Sequence, residues 1–521
     1  MTDRTATGYL GLFLICIYTL TAGGHYGGDG FWNYLTAQSL VIDQDVAIGD
    51  RTFLVKEMQE QYAATAGTGT VSRSGRRYSK YGLGMPLMET PFYAIGHLLS
   101  TMLPRLPADY LTLFTTSMTN VIVCALWGLL FFNFARSLGY QRTTVFWLTA
   151  MFSLGSMAFP YSGYGFSEPL VGIALLGATA SFYQYRQTHS PASLVLGGSW
   201  MGLAMLTKLY TLVVLPIFLF YAWPTLKSRI AKHTPALVGP LILFLILIAW
   251  HNWIRYDSIF QTGYHLDTLV QKGGYQALWP TQILTAAYGY LFSTGRGLIF
   301  FLPVVLLVPL AFKAFKHTLP NEANLFLGLL GVHFFPLLLI IDWHGGSNWG
   351  PRYLLPIIPF LILPLGILIE NSESGRQTTK YLGIAGFLFQ LPGTLINPHL
   401  FVRFVLDKRI GDLIFHPGHP GDLIFSPYLS PILGGYYQLT SGIARYLTGN
   451  SLNYTISSGV ERKIEASLAS YDLIDTWWIN ALRTGFLSTG ATVALLLGTT
   501  VLLATSVYAA TKLRRWAGNL P

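Results

Sequence analysis

Asp29 stands in Gly27-Gly-Asp29-Gly-Phe-Trp-Asn-Tyr34, flanked on both sides by glycine. A carboxylate so placed can take a proton from a hydroxyl group, and its glycine neighbours let another molecule approach the backbone. The same carboxylate would also cap a helix starting at Gly30, and the sequence leaves both roles open. Further along, Glu168 sits in Phe166-Ser-Glu168-Pro169, Lys208 in Leu206-Thr-Lys208-Leu-Tyr210, and Arg296 in Ser293-Thr-Gly-Arg296-Gly297. Arg352 ends the polar stretch that begins at Asp342 and holds His344. A guanidinium offers a planar fork that matches a phosphate, and a lysine offers a point charge. Taken singly, each cation can equally snorkel from a helix end. Lys208, Arg296 and Arg352 together, with Asp29 and Glu168, point to a phosphate-holding site with acid–base groups beside it. Tyr78, Lys80 and Tyr81 in Tyr78-Ser-Lys80-Tyr81-Gly-Leu-Gly-Met-Pro86, with Tyr264 and His344, are the expected substrate contacts. Asp43-Gln-Asp45 has the spacing that can hold a hard divalent cation, although a solvated turn accounts for it as well. No other metal or cofactor is indicated, and no Walker A loop, HExxH, GxSxG or CxxC pair occurs.

The elements that must position these residues are apolar. The chain has 521 residues, of which 52% are hydrophobic and 11% charged. Soluble proteins carry roughly 25% charged residues, so this composition excludes a disordered chain and argues against a soluble enzyme. Apolar runs lie near 7–23, 109–134, 144–161, 168–185, 192–207, 209–224, 235–251, 293–312, 324–341, 353–370, 380–397 and 484–511. Each approaches the roughly 20 residues that a membrane-crossing helix needs. The expected fold is an all-α polytopic membrane protein with about 12 transmembrane helices. Because further spans follow the first run, that run is expected to be a retained helix rather than a cleaved leader. Cys16 and Cys124 both lie inside apolar runs, so no disulfide is expected.

Lys and Arg in the short loops set the orientation. Arg136, Arg142, Arg186, Lys227, Arg229, Lys232, Lys313, Lys316, Arg376, Lys380 and Lys512-Leu-Arg514-Arg515 punctuate alternate boundaries. With those loops and Arg4 in the cytoplasm, the whole net charge of +10 falls on that side. The basic balance is thus a topology signal, and no nucleic-acid partner is expected. Asp29, Glu168, Lys208, Arg296 and Arg352 all then lie at outer ends of spans, where ionisable groups are costly and suggest function. Segments 24–108 and 398–483 fall outside. Within the first, Gly30–Ile42 reads as a short amphipathic helix and Pro86–Leu103 as a helix lying at the interface. Ala63–Gly75 reads as a mobile loop rich in Gly, Ser and Thr. In the second, Gly411-Asp-Leu-Ile-Phe recurs as Gly421-Asp-Leu-Ile-Phe, and Asn453-Tyr-Thr455 matches a glycosylation sequon. The domain division is a core over 1–397 carrying the 24–108 loop, an outer segment over 398–483, and a last helix with its tail over 484–521.

The motifs around Asp29, Tyr78–Pro86, Phe166-Ser-Glu-Pro169, Tyr290-Leu-Phe-Ser-Thr-Gly-Arg-Gly-Leu298 and Gly350-Pro-Arg-Tyr-Leu-Leu-Pro356, in that order and all outside, resemble the GT-C class of membrane glycosyltransferases. That class includes the protein O-mannosyltransferases and the aminoarabinose transferase of lipid A. The resemblance spans 24 to about 360. It implies transfer of a sugar from a polyprenyl-phosphate carrier to a lipid, glycan or protein acceptor on the outer face of a bacterial cytoplasmic membrane. It implies Asp29 as the base and Lys208, Arg296 or Arg352 on the carrier phosphate. The protein O-mannosyltransferases carry an Asp-Glu pair where this chain has Asp29-Gly30, so the acceptor type differs or is open. Two other readings compete. A secondary transporter or lipid flippase would show two similar halves, mid-span charges and short loops, whereas the sequence has no such repeat, few mid-span charges and two long outer segments. An oligosaccharide ligase or polymerase would use a diphosphate-linked donor and shares the same chemistry.

Overall fold

The computed structural model describes residues 1–23, 29–48, 70–71, 76–266, 280–340, 343–346, 348–397, 424–448, 474–483 and 487–518. A backbone in hydrocarbon must satisfy its own hydrogen bonds, and among the described residues each apolar run is helical over most of its length. Among the described residues, four stretches are long and apolar enough to cross a membrane unaided: Ala108–Ser137, Leu209–Tyr256, Arg352–Asn371 and Thr489–Gly518. The other runs are helical but shorter, interrupted or less apolar, so the number of crossings rests on the sequence. The chain is an α-helical membrane protein with a minor β element. Thr70–Val71 pairs antiparallel with Arg77–Tyr78, and an Ala47–Tyr78 bridge extends the pair. This corrects the mobile-loop reading of 63–75 at Thr70 and Val71; the rest of that stretch lies outside the described residues.

Several expected single helices are broken. The 293–312 run becomes Leu298–Phe301, a tight 3₁₀ stretch over Pro303–Leu307, and Val308–Thr318. The 353–370 run starts as a 3₁₀ turn, Arg352–Ile357, before Ile358–Ile362 and Leu365–Asn371. The 144–161 run splits into Arg142–Ser153 and Ala158–Tyr161. In the first two, Pro303, Pro356, Pro359 and Pro364 withdraw backbone donors and clash with the preceding turn, which the hydropathy of the run does not register. The two helices expected in the first outer loop are present as Asp29–Ile42 and Gly84–Met102.

Residues assigned to one side of the membrane meet at one end of the molecule. Asp3 accepts from Arg136 Nε and Arg142 Nε, each at 3.0 Å, and from Trp516 Nε1 at 3.2 Å. This clasp ties the start of the first helix to the end of the last. At the opposite end, the Trp477 amide donates to Ala22 O at 2.8 Å and Trp478 Nε1 to Leu20 O at 2.9 Å. The second copy of the Gly-Asp-Leu-Ile-Phe repeat reaches the same end. Ile424 O accepts from the Gly295 amide at 2.9 Å, and Phe425 stacks on Tyr288 with centroids 6.0 Å apart. The first copy and the 453–455 sequon lie outside the described residues.

The two native cysteines are buried, which makes the orientation directly testable. A cysteine replacing exposed Arg105 should react with an impermeant thiol reagent in intact cells, and one replacing exposed Lys316 should react only after permeabilisation. The reverse pattern would invert the topology and place Asp29 in the cytoplasm.

Candidate active site

Glu168 and Lys208 meet because of a helical hairpin. Glu168–Thr188 and Pro191–Thr207 run antiparallel through a tight turn at His189, which takes φ +56°. The first residue of one helix therefore lies beside the residue that ends the other. Lys208 Nζ is 2.7 Å from Glu168 Oε1, and both side chains are buried, 8% and 1% exposed. Each also sits where the helix dipole favours its charge, the carboxylate at an N-terminus and the ammonium at a C-terminus.

Asp29 and Arg352 join this pair from distant parts of the chain. Asp29 opens the 29–42 helix, and Gly30 lies against the 165 backbone so closely that a Cβ there would sit 2.8 Å from Gly165 O. Arg352 emerges from a loop whose Gly345, Gly346 and Gly350 take φ of +71°, +75° and +59°, conformations that side chains disfavour. Its Nη1 donates to Asp29 Oδ2 at 3.0 Å and lies 3.8 Å from Glu168 Oε1. The guanidinium is sandwiched at 4.9 Å from the Phe166 ring and 4.8 Å from the Tyr353 ring. The other Asp29 oxygen, Oδ1, accepts from the Tyr81 hydroxyl at 2.5 Å. Two carboxylates and two cations thus form one buried, charge-balanced network.

Burial pushes the Asp29 carboxyl up, but the charges of Arg352 and Lys208, the Tyr81 hydroxyl and Lys80 outweigh it and hold the group at about 2. Burial and the adjacent Asp29 charge raise Tyr81 well above the usual phenol range, so it stays a donor.

The loop carrying Tyr81 is held from both sides. Gly82 lies against the end of the 191–207 helix, where a Cβ would be 2.3 Å from Leu206 O. From the other side, buried Arg255 donates through Nη1 to Ser79 O at 2.7 Å and Tyr81 O at 3.2 Å. Lys80 Nζ lies 5.5 Å from the Tyr81 ring centre and 5.9 Å from that of Tyr264, which meets Tyr81 edge-on.

The structure therefore brings Asp29, Glu168, Lys208, Arg352 and Tyr81 together, with Lys80 and Tyr264 beside them. Others lie apart. Tyr78 is buried against Tyr256. Arg296, expected on the phosphate, instead directs its guanidinium to the carbonyls of Gly295, His344 and Gly346, at 2.8 Å and 2.9 Å for the first two. His344 belongs to that same loop, its Nδ1 accepting from the Gly346 amide at 3.1 Å. Both shape the loop that carries Arg352. Asp45 pairs with Arg76 and accepts from the amides of Val46 and Ala47 at 2.7 Å and 3.3 Å. Among the described residues no three His, Cys, Asp or Glu converge as metal ligands, and Asp43 and Asp45 are not joined by a third.

Sequence reasoning missed Arg255, Phe166 and Tyr353. Arg255 carried the same signal that marked Lys208, a lone cation at the end of an apolar helix, and was readable by the same rule. The two rings carried no distinguishing signal in a chain this aromatic.

No family model and no curated protein sequence matches the chain. Among solved structures, it is similar to one described as ArnT from Cupriavidus metallidurans bound to undecaprenyl phosphate, at 14% sequence identity and a TM-score of 0.47. That likeness covers 95% of this chain and 78% of the other.

Proposed function

We propose that the protein transfers a sugar from a polyprenyl-phosphate donor to an acceptor hydroxyl at the outer face of the membrane. The observation that carries this reading is the Arg352 guanidinium joined to the Asp29 carboxylate at 3.0 Å in a buried network that also holds Glu168 and Lys208. In the reaction, the acceptor oxygen bonds to the anomeric carbon while the bond from that carbon to the phosphate oxygen breaks. The acceptor proton passes to Asp29, and the polyprenyl phosphate departs with the bonding electrons. A phosphate is a stable leaving anion, so it calls for charge stabilisation, which Arg352 and Lys208 supply. The hydroxyl is a poor nucleophile until its proton has an acceptor. Tyr81 orients the carboxylate, and Glu168 keeps the Lys208 ammonium in place.

The resting ion pair explains how a carboxyl held at about 2 can serve as a base. Donor phosphate competes for Arg352, and as the guanidinium turns to it the Asp29 carboxylate loses its strongest stabilising neighbour. Its proton affinity then rises when an acceptor hydroxyl is to be deprotonated.

The direct test incubates purified protein with polyprenyl-phosphate sugars and an acceptor preparation and measures release of free polyprenyl phosphate. Release is expected, and Asp29→Asn should suppress it. Consumption of diphosphate-linked donors alone would favour a ligase or polymerase. Movement of a lipid or solute without donor cleavage would favour a transporter.

A further inference from the structure

Asn33 lies one helical turn beyond Asp29 on the same side of the 29–42 helix. It is 1% exposed, and neither its amide nitrogen nor its amide oxygen has a hydrogen-bond partner. An unpaired buried amide is a cost that folded proteins rarely carry without a reason. Helical phase fixes where it looks. At about 100° per residue, Asn33 falls between the direction of Asp29, which reaches Arg352, and that of Gly30, which abuts Gly165. That is the side of the 165–168 turn and the charged network. The same neighbourhood holds other buried polar atoms without partners: Glu168 Oε2, Arg352 Nε, and Asn120 Oδ1. Asn120 itself grips that turn, its Nδ2 donating to the carbonyls of Tyr164 and Phe166, the latter at 2.8 Å. Asn120 thus holds the turn at two carbonyls, and Glu168 at its end keeps Oε2 unpaired.

We propose that Asn33 binds a hydroxyl of the transferred sugar and so selects the donor. This rests on the sugar-transfer reading above. An amide presents one donor and one acceptor side, which is the complement of a hydroxyl that both gives and takes a hydrogen bond. A carboxylate or an ammonium would satisfy only half of it. Residues one turn apart have Cβ atoms about 5–6 Å from each other. With the reacting oxygen at Asp29, that spacing places Asn33 across a sugar ring from the bond that breaks.

The decisive variant is Asn33→Leu, close in size and without polar atoms. Removing an unsatisfied buried amide should leave the melting temperature unchanged or raise it by a few degrees. Against the polyprenyl-phosphate sugar that the wild-type protein consumes, kcat/KM should fall about 10²-fold or more, because a site built around a hydroxyl discriminates strongly. A panel of donors each lacking one hydroxyl then identifies the group. Wild type should lose activity on one of them, and Asn33→Leu should handle that donor no worse than the complete one. Asn33→Thr, which keeps a donor and an acceptor on one atom, should retain part of the activity and serves if the leucine variant fails to accumulate. Wild-type kcat/KM in Asn33→Leu, or in any well-folded apolar variant at 33, would overturn the assignment. If the wild-type protein itself consumes no sugar donor, the parent reading fails instead, and the two failures are distinct.

Discussion

Asp29→Asn should lower turnover by roughly 10²–10⁴, the usual contribution of a general base, while the protein still accumulates and binds donor. The substitution keeps the size of the side chain and an oxygen that can accept from the Tyr81 hydroxyl, now 2.5 Å from Oδ1. It removes the charge opposite Arg352, yet Glu168 Oε1 remains 3.8 Å from that guanidinium, so the cation is not left alone. Asp29→Ala would be a poorer probe, since stripping the partner from a buried cation costs about 3–5 kcal/mol of stability and confounds the kinetics. The measurement is release of polyprenyl phosphate per enzyme under saturating donor. The pH profiles add a signature that a structural role would not produce. A base must be deprotonated to work, so activity is lost as pH falls through its pKa. In the free protein Asp29 titrates at about 2, and kcat/KM reports that state. In the donor complex Arg352 is shared with phosphate, so the acid limb of kcat should lie at higher pH than that of kcat/KM. Normal turnover in Asp29→Asn, or abolition by Glu168→Gln with Asp29→Asn active, would move the base to another carboxylate.

Arg352→Ala should weaken donor binding by about 2–5 kcal/mol, on the order of 30- to 4,000-fold in Kd. Arg352 is 5% exposed and its guanidinium lies close to two aromatic rings, so little water screens it from a bound phosphate. Arg352→Lys should restore only part of the affinity. The ammonium keeps the charge, but it loses the planar fork and its stacking on Phe166 and Tyr353. Titration of polyprenyl phosphate into each purified variant measures this, with melting temperature followed in parallel. Arg352→Ala leaves Asp29 without its close cation and should melt earlier; Arg352→Lys separates that effect from ligand affinity. Unchanged donor affinity in Arg352→Ala would make the residue a partner for Asp29 alone.

The sequence by itself determined which segments are helical and which charged residues lie at helix ends, though not where a helix breaks. Apolar runs of membrane length become helix because hydrocarbon leaves the backbone no other way to pair, and that constraint is local. Asp29, Glu168, Lys208 and Arg352 stood out because a charge at such a position is costly wherever the chain then goes. Their pairing was not legible. Asp29 and Arg352 are 323 residues apart, and no local pattern records which helix ends converge. Arg296 shows the same limit from the other side. Its guanidinium donates to the His344 and Gly346 carbonyls of a loop with glycines at positive φ, and a carbonyl has no letter in the sequence. Asn33 was visible only as one polar residue in an aromatic helix. That its amide is buried and unpaired depends on how the helices and turns of distant segments pack around it, and only the tertiary structure decides that.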